Sequence, residues 1–267
     1  MNFDFSEDQK ILQKTARDYL EENAPLAVCR EVLETPKPYS EKLWKGAAEL
    51  GWLGAAIPEQ YGGAGLGRLD LAVIAEEVGR ALAPIPLSSS TYLATEAILL
   101  SGSEAQKKKY LPKLAIGEAI GCFALAERPG QNGTEGVATT FSKGSLSGTK
   151  IAVLDGEAAT FAVVVAKGGS GLTLAIADLD TVRRTPVRSI DPSRPIAQLD
   201  FRDAVAEPLG LEGRGGALTE EILDHAAVLL AFEQIGSAER AFEITKEYAL
   251  GRYAFGRPIA SFQAIKH

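Results

Sequence analysis

From Thr219 to about Tyr253 the chain carries a helical pattern that no proline interrupts. Apolar positions Ile222, Ala226, Leu229, Leu230, Phe232, Ile235, Ala238, Phe242 and Ala249 recur along it among small residues, a mixture that suits close packing against other helices. At ~1.5 Å per residue such a helix spans on the order of 50 Å. The rest of the chain is too small to cover that face, so the pattern calls for further chain beyond His267 or for other subunits. At its end the helix meets a Gly-Arg-Pro break, Gly256-Arg257-Pro258, and a second helix start near Gln263.

The first part of the chain reads as all-α. Ser6 and Gln9 have capping-box spacing, with Phe5 placed to staple onto the first turn, and Ile11, Leu12, Ala16, Tyr19 and Leu20 mark one buried face of a helix that Pro25 ends. Further helices are predicted over 40–50, 69–82, about 88–101 and, from a second capping box at Ser103 and Gln106, to about Ala115. Between them Trp52 to Pro58 breaks into the glycine-rich Glu59-Gln60-Tyr61-Gly62-Gly63-Ala64-Gly65. No G-x-x-x-x-G-K-[ST] spacing supports a phosphate cradle there, so a tight structural loop is predicted.

Beyond Ala119 the pattern changes. Ile120 to Ala126, Ile151 to Leu154, Phe161 to Ala166 and Leu172 to Ala177 are short apolar runs set off by Gly, Asp and Ser, as strands are. Strands without intervening helices predict an antiparallel β-barrel or sandwich. The fold class is therefore α+β and multidomain: an N-terminal all-α domain over 1–117, a middle antiparallel β domain over 118–212, and the start of a C-terminal α-helical bundle over 213–267.

Composition narrows the function. A net charge of −7 with scattered basic residues, apart from Lys107-Lys108-Lys109, argues against nucleic acid as a partner. Two cysteines, Cys29 and Cys122, and two histidines, His225 and His267, give neither a disulfide framework nor a metal site. The acidic N-terminus has no apolar leader and no later run has the length of a membrane span, so a cytoplasmic protein is expected.

The order of these units, ending in R-x-x-F-G-x-P-I-x-x-F-Q from Arg252 to Gln263, resembles the acyl-CoA dehydrogenase family. Ile57 to Gly65 with Asp70, Glu76 and Glu77, then Leu146-Ser147-Gly148-Thr149-Lys150, and Gly236 through Gln263 carry the resemblance. It implies an FAD-dependent oxidoreductase that desaturates an acyl-CoA thioester by α-proton abstraction and hydride transfer to flavin. Implied partners are an electron-accepting flavoprotein and other subunits, in a homo- or hetero-oligomer. The resemblance also implies that Arg252, Phe255 and Gln263 contact the ADP half of FAD held by an adjacent subunit. A guanidinium suits pyrophosphate, and an aromatic with an amide suits adenine. Read without the family pattern, Arg252 is a cation at a helix C-terminus and Phe255 a core residue.

Two departures from the family pattern bear on the flavin ring and on catalysis. The segment that usually reads T-E-P-G-x-G-S-D is here Ala126-Glu127-Arg128-Pro129-Gly130-Gln131-Asn132-Gly133, and K-x-W/F-I-T-N is here Lys150-Ile151-Ala152-Val153-Leu154-Asp155. Ala126, Asn132 and Leu154 thus occupy positions that contact the ring, with Asn132 a partial replacement for Ser, and the aliphatic side chains supply no donor and no stacking face. In the first half of the long helix the stretch from Asp224 to Phe232 has no Glu to act as base; Glu233 and Glu239 read as ordinary helix carboxylates, and the base is expected beyond His267. These departures give two alternatives to a self-sufficient subunit: a flavin-poor partner in a mixed oligomer, or a non-catalytic structural or regulatory subunit.

Overall fold

In the computed structural model, which describes residues 4–35, 37–131 and 133–267, α1 (Glu7–Asn23) starts at the expected capping box. The Ser6 hydroxyl accepts from the Gln9 amide at 3.2 Å and Gln9 Oε1 accepts from the Ser6 amide at 3.0 Å. The Phe5 ring lies 6.4 Å from Phe232, tying the residues before α1 to the middle of the long helix. A helix that the periodicity did not reveal, α2 (Leu26–Glu34), follows Pro25 at once. The same proline that stops α1 has its φ of −59° preset for the next helical turn.

After α3 (Glu41–Glu49) the glycine-rich segment is a structural loop, as expected. A Cβ on Gly63 would lie 2.0 Å from the Ile57 carbonyl oxygen, so only glycine lets the loop fold back on the Trp52–Pro58 run. It leads to α4 (Arg68–Ala81), a π-helical segment (Ser88–Thr95), α5 (Glu96–Ser101) and α6 (Glu104–Ala115), which carries the second capping box.

The sheet consists of β1 (Gly121–Ala124), β2 (Thr140–Ser142), β3 (Ser145–Leu154), β4 (Phe161–Gly168), β5 (Gly171–Asp178), β6 (Arg183–Val187) and β7 (Ile196–Leu209). Pairings β4–β5, β5–β7, β7–β3, β3–β2 and β2–β4 close a ring, the last through Thr140 and Lys167 alone. Most pairs are antiparallel, as expected, but β1 and β2 both run parallel to β4, with Gly121 opposite Phe161 and Ala124 opposite Val164 in the longer of the two pairings. The chain between β1 and β4 runs through β2 and β3, and that length permits a parallel pairing that no hairpin could make.

The long helix, α7 (Gly215–Gly251), begins four residues before Thr219, whose hydroxyl donates to the Gly215 carbonyl at 2.7 Å from inside the helix. At about 1.5 Å per residue its 37 residues span about 55 Å. Ile222, Ala226, Leu229, Glu233 and Gly236 are buried on one stripe, largely against α4. The backbones come very close there: a Cβ on Gly79 would sit 1.9 Å from the Glu233 carbonyl, and one on Gly236 1.9 Å from that of Glu76. The opposite stripe, Val228, Ile235, Phe242 and Tyr248, is exposed. A short hairpin, β8 (Tyr253–Ala254) with β9 (Arg257–Pro258), then leads to α8 (Gln263–Lys266). Among the described residues no helix is long and apolar enough to cross a membrane, and no metal-holding cluster occurs.

Candidate cofactor and substrate site

The hairpin beyond α7 brings three of the expected cofactor residues together. Arg252 is the C-cap of α7, its amide donating to the Tyr248 carbonyl at 2.8 Å, and its carbonyl accepts from the Ile259 amide at 2.8 Å to close the hairpin base. This cap is made by the backbone alone. The guanidinium is exposed and has no carboxylate partner among the described residues. Phe255 is 96% exposed and holds a left-handed φ of 53° at the hairpin tip, so it is not a core residue. Behind it Phe262 stands edge-on at 6.3 Å, with the Arg257 guanidinium stacked 4.0 Å over the Phe262 ring. Gln263 opens α8 with an exposed side chain.

Ala126 and Leu154 lie elsewhere, along the line where β3 runs beside the segment after β1. The Ala126 carbonyl accepts from the Ile151 amide at 2.8 Å, and the β3–β7 register slips between Lys150 and Val153. At this bulge Ala152 takes a φ of 51° and is exposed, while half-buried Leu154 pairs with Ile196. Asn132 lies outside the described residues. Of the positions on this face expected to meet the flavin ring, Ala126, Ala152 and Leu154 carry no side-chain donor. The donor set at the hairpin fits the diphosphate and adenine of a dinucleotide; the donor set on this face does not fit its ring.

Two motif residues brace that face. Lys150 is wholly buried, and its Nζ donates to Glu127 Oε1 at 2.7 Å and to the Leu125 carbonyl at 3.0 Å. Glu127 also accepts from the amides of Ala138 at 2.7 Å and Thr139 at 2.9 Å. Burial pushes its pKa up, but Lys150 and these amide donors outweigh that and hold the carboxyl down at about 2.

A further polar cluster, which local sequence patterns did not announce, lies behind Leu154. Asp155, buried at a φ of 53°, accepts from Ser89 Oγ at 2.6 Å and donates its amide to the Pro195 carbonyl at 2.8 Å. Burial lifts its pKa to about 6 despite Ser89 and Arg194. Arg194 donates to Ser88 Oγ at 2.9 Å and pairs with Glu233 of α7. Glu233 is thus not an ordinary surface carboxylate: it is 4% exposed and committed to Arg194. Glu239 does behave as one, half-exposed and bonded to Arg80 Nη1 at 3.1 Å.

Comparison with known proteins agrees with this architecture. Residues 6–118 match the family model for the acyl-CoA dehydrogenase N-terminal domain and residues 213–267 that for the acyl-CoA dehydrogenase C-terminal domain. Acyl-CoA dehydrogenase IpdE2 of Mycobacterium tuberculosis is 32% identical over 262 residues, which cover 98% of this chain and 70% of that protein. The fold superposes on a solved glutaryl-coenzyme A dehydrogenase in complex with glutaryl-CoA with a TM-score of 0.91 at 26% identity, covering 99% of this chain and 72% of the other. For an acyl-CoA dehydrogenase complexed with FAD from Bacillus anthracis the TM-score is 0.89 at 33% identity, covering 98% of this chain and 48% of the other.

Proposed function

The chain belongs to the acyl-CoA dehydrogenase family, and on that premise we propose that it is one subunit of an FAD-dependent oxidoreductase that places an α,β double bond in an acyl-CoA thioester. The observation that carries the assignment of its residues is Phe255, an aromatic 96% exposed on the same hairpin as Arg252, which has no carboxylate partner among the described residues, and close in sequence to the exposed Gln263. An apolar ring held so far into solvent is poised for a ligand or a neighbour. Arg252 would hold the diphosphate of an FAD seated on the adjacent subunit, with Phe255 and Gln263 against its adenine. When bound, FAD supplies the two-electron acceptor that desaturation needs.

The finer reading is a mixed oligomer. Ala126, Ala152 and Leu154 supply no side-chain donor, so a second, related polypeptide grips the flavin ring while this chain contributes its hairpin. The α7 carboxylates Glu233 and Glu239 are engaged by Arg194 and Arg80, which supports a proton-abstracting base supplied from outside residues 1–267. In this reading 1–117, 118–212 and 213–267 act as three domains, and electrons leave through a flavoprotein acceptor. The buried free thiols Cys29 and Cys122 support a reducing, cytoplasmic setting.

The test is to purify the protein alone and after co-expression with a related subunit, measuring bound FAD and acyl-CoA-dependent reduction of a ferricenium acceptor. Flavin and activity are expected in the mixed complex and not in the lone chain. Full occupancy and turnover in the lone chain would overturn the mixed oligomer, and no FAD uptake with any partner would overturn the dehydrogenase reading itself.

A further inference from the structure

The segment between β6 and β7, residues 188–195, touches the N-terminal helices, the sheet and α7 at once. None of its residues is buried and Ile190 is wholly exposed, so no apolar side chain anchors it. Polar bonds hold it instead. Arg194 donates to Ser88 Oγ of the π-helical segment at 2.9 Å and pairs with Glu233 of α7, while the Pro195 carbonyl accepts from the amide of Asp155, just past β3, at 2.8 Å. The two fastenings meet at neighbouring serines: Ser88 receives Arg194, and Ser89 donates to Asp155 Oδ2 at 2.6 Å. A cavity of about 180 Å³ lies against the segment, lined by its Asp191 and Arg194 and by Asp155, Tyr39 and Pro84.

Charge decides how firmly these fastenings close. Arg194 and Glu233 are one cation and one anion, already paired. Asp191 is exposed and accepts from the Ser193 amide at 3.0 Å within the segment. On the sheet side the Cys122 thiol of β1 is held neutral by burial and by Asp155, and the Arg184 guanidinium of β6 is bonded to the Glu157 and Ala159 carbonyls. A protonated Asp155 therefore leaves the cluster balanced. An ionised one adds a second carboxylate, 5% exposed, with no free cation beside it, and such a buried charge is relieved by admitting water.

We propose that residues 188–195 form a lid over this cavity, latched by Arg194, and that ionisation of Asp155 releases it. The lid needs neither FAD nor acyl-CoA, so it stands or falls apart from the dehydrogenase reading. Lifting it breaks the bond from the Asp155 amide to Pro195 and opens the carboxylate to solvent. Burial raises the Asp155 carboxyl to about 6 with the lid closed, above the 3.8 of a free aspartate to which opening returns it. Opening therefore becomes easier as pH rises through that window and levels off above about 6.

The Asp155 amide is the reporter, because its partner is the lid's own Pro195 carbonyl. Its hydrogen exchange is followed by NMR in the full chain from about pH 4 to about pH 7, corrected for intrinsic exchange, with a urea series at each pH. Protection is expected to fall roughly tenfold to a hundredfold across that range, most of it below pH 6, and to stay flat in low urea as a local opening does. Asp155→Asn is expected to keep protection high throughout, and Asp191→Asn to retain the wild-type fall. Protection that does not change with pH, a fall that Asp155→Asn shares or Asp191→Asn abolishes, or exchange that follows urea as the amides of β4 do overturns the lid. The wild-type pH and urea series decide it even where a variant does not fold.

Discussion

Lys150 Nζ and Glu127 Oε1 stand 2.7 Å apart with the lysine fully buried, and the pair joins the segment after β1 to the strand that carries Ala152 and Leu154. Removing one partner strands the other charge out of water. Glu127→Ala or Lys150→Met is therefore expected to cost roughly 3–5 kcal/mol, measured by urea unfolding. The pH dependence has a definite sign. Glu127 titrates at about 2 in the fold, below the 4.5 of a free carboxyl, so its contribution is complete above about pH 4.5 and is lost as pH falls toward 2. Glu127→Gln should flatten that acid limb.

Asp155 has the opposite sign. Its folded pKa of about 6 lies above the 3.8 of a free aspartate, so between these values the fold holds more proton than the unfolded chain. Its contribution declines as pH rises through this window and stays lost above about 6. Asp155→Asn, neutral throughout and tolerant of the φ of 53°, should therefore stabilise by roughly 2–3 kcal/mol at pH 7 and bring no gain near pH 4. Thermal unfolding across that range checks it; an equal gain at both ends would refute the titration argument.

The parts legible in the sequence were the local ones. Ser6 with Gln9 and Ser103 with Gln106 sit three residues apart and close as capping boxes. The strands found first were continuous apolar runs, whereas β7 contains Asp200, Arg202, Asp203 and Glu207 because part of it faces water, and no apolar run marks it. No sequence period marks Gly215 and Gly216 as the first residues of α7. The reason for glycine there is tertiary: a Cβ on Gly215 would lie 2.6 Å from the Thr173 backbone. The ion pairs around the candidate site were illegible for a simpler reason: Lys150 is 23 residues from Glu127 and Arg194 is 39 from Glu233, separations that no helix or strand period encodes. Family likeness pointed to Arg252, Phe255 and Gln263, while the Asp155, Arg194 and Glu233 cluster required the fold.

Gly236→Ala sets two effects against each other. Alanine in a helix interior gains about 1 kcal/mol in intrinsic propensity over glycine. Here the added methyl would meet the Glu76 carbonyl oxygen at 1.9 Å, and relief requires α4 and α7 to move apart. That separation would also stretch the 2.8 Å bond from Ser237 Oγ to the Gly79 carbonyl. Overpacking of backbone against backbone wins, and a net loss of roughly 1–3 kcal/mol is expected by thermal or urea unfolding. Gly251→Ala, with nothing within 4 Å of the new Cβ, is the control and should show no comparable loss.

Arg252 and Phe255 separate a cofactor role from a structural one. The cap on α7 is made by the Arg252 amide, which Arg252→Ala retains, so only the charge at the helix terminus is lost, a matter of about 0.3–1 kcal/mol. Phe255, 96% exposed, contributes little to packing within the chain, and Phe255→Ala should change stability by no more than about 0.5 kcal/mol. If both side chains hold FAD on a neighbouring subunit, each variant should shed flavin from the assembled oligomer while its unfolding midpoint in the lone chain barely moves. The Arg252→Ala defect should be the more salt-sensitive relative to wild type, because a guanidinium–phosphate contact is screened and an aromatic contact is not. Flavin content across a salt series, with thermal unfolding of the isolated chain, decides it. Unchanged flavin with a lowered midpoint would return Arg252 and Phe255 to a purely structural role.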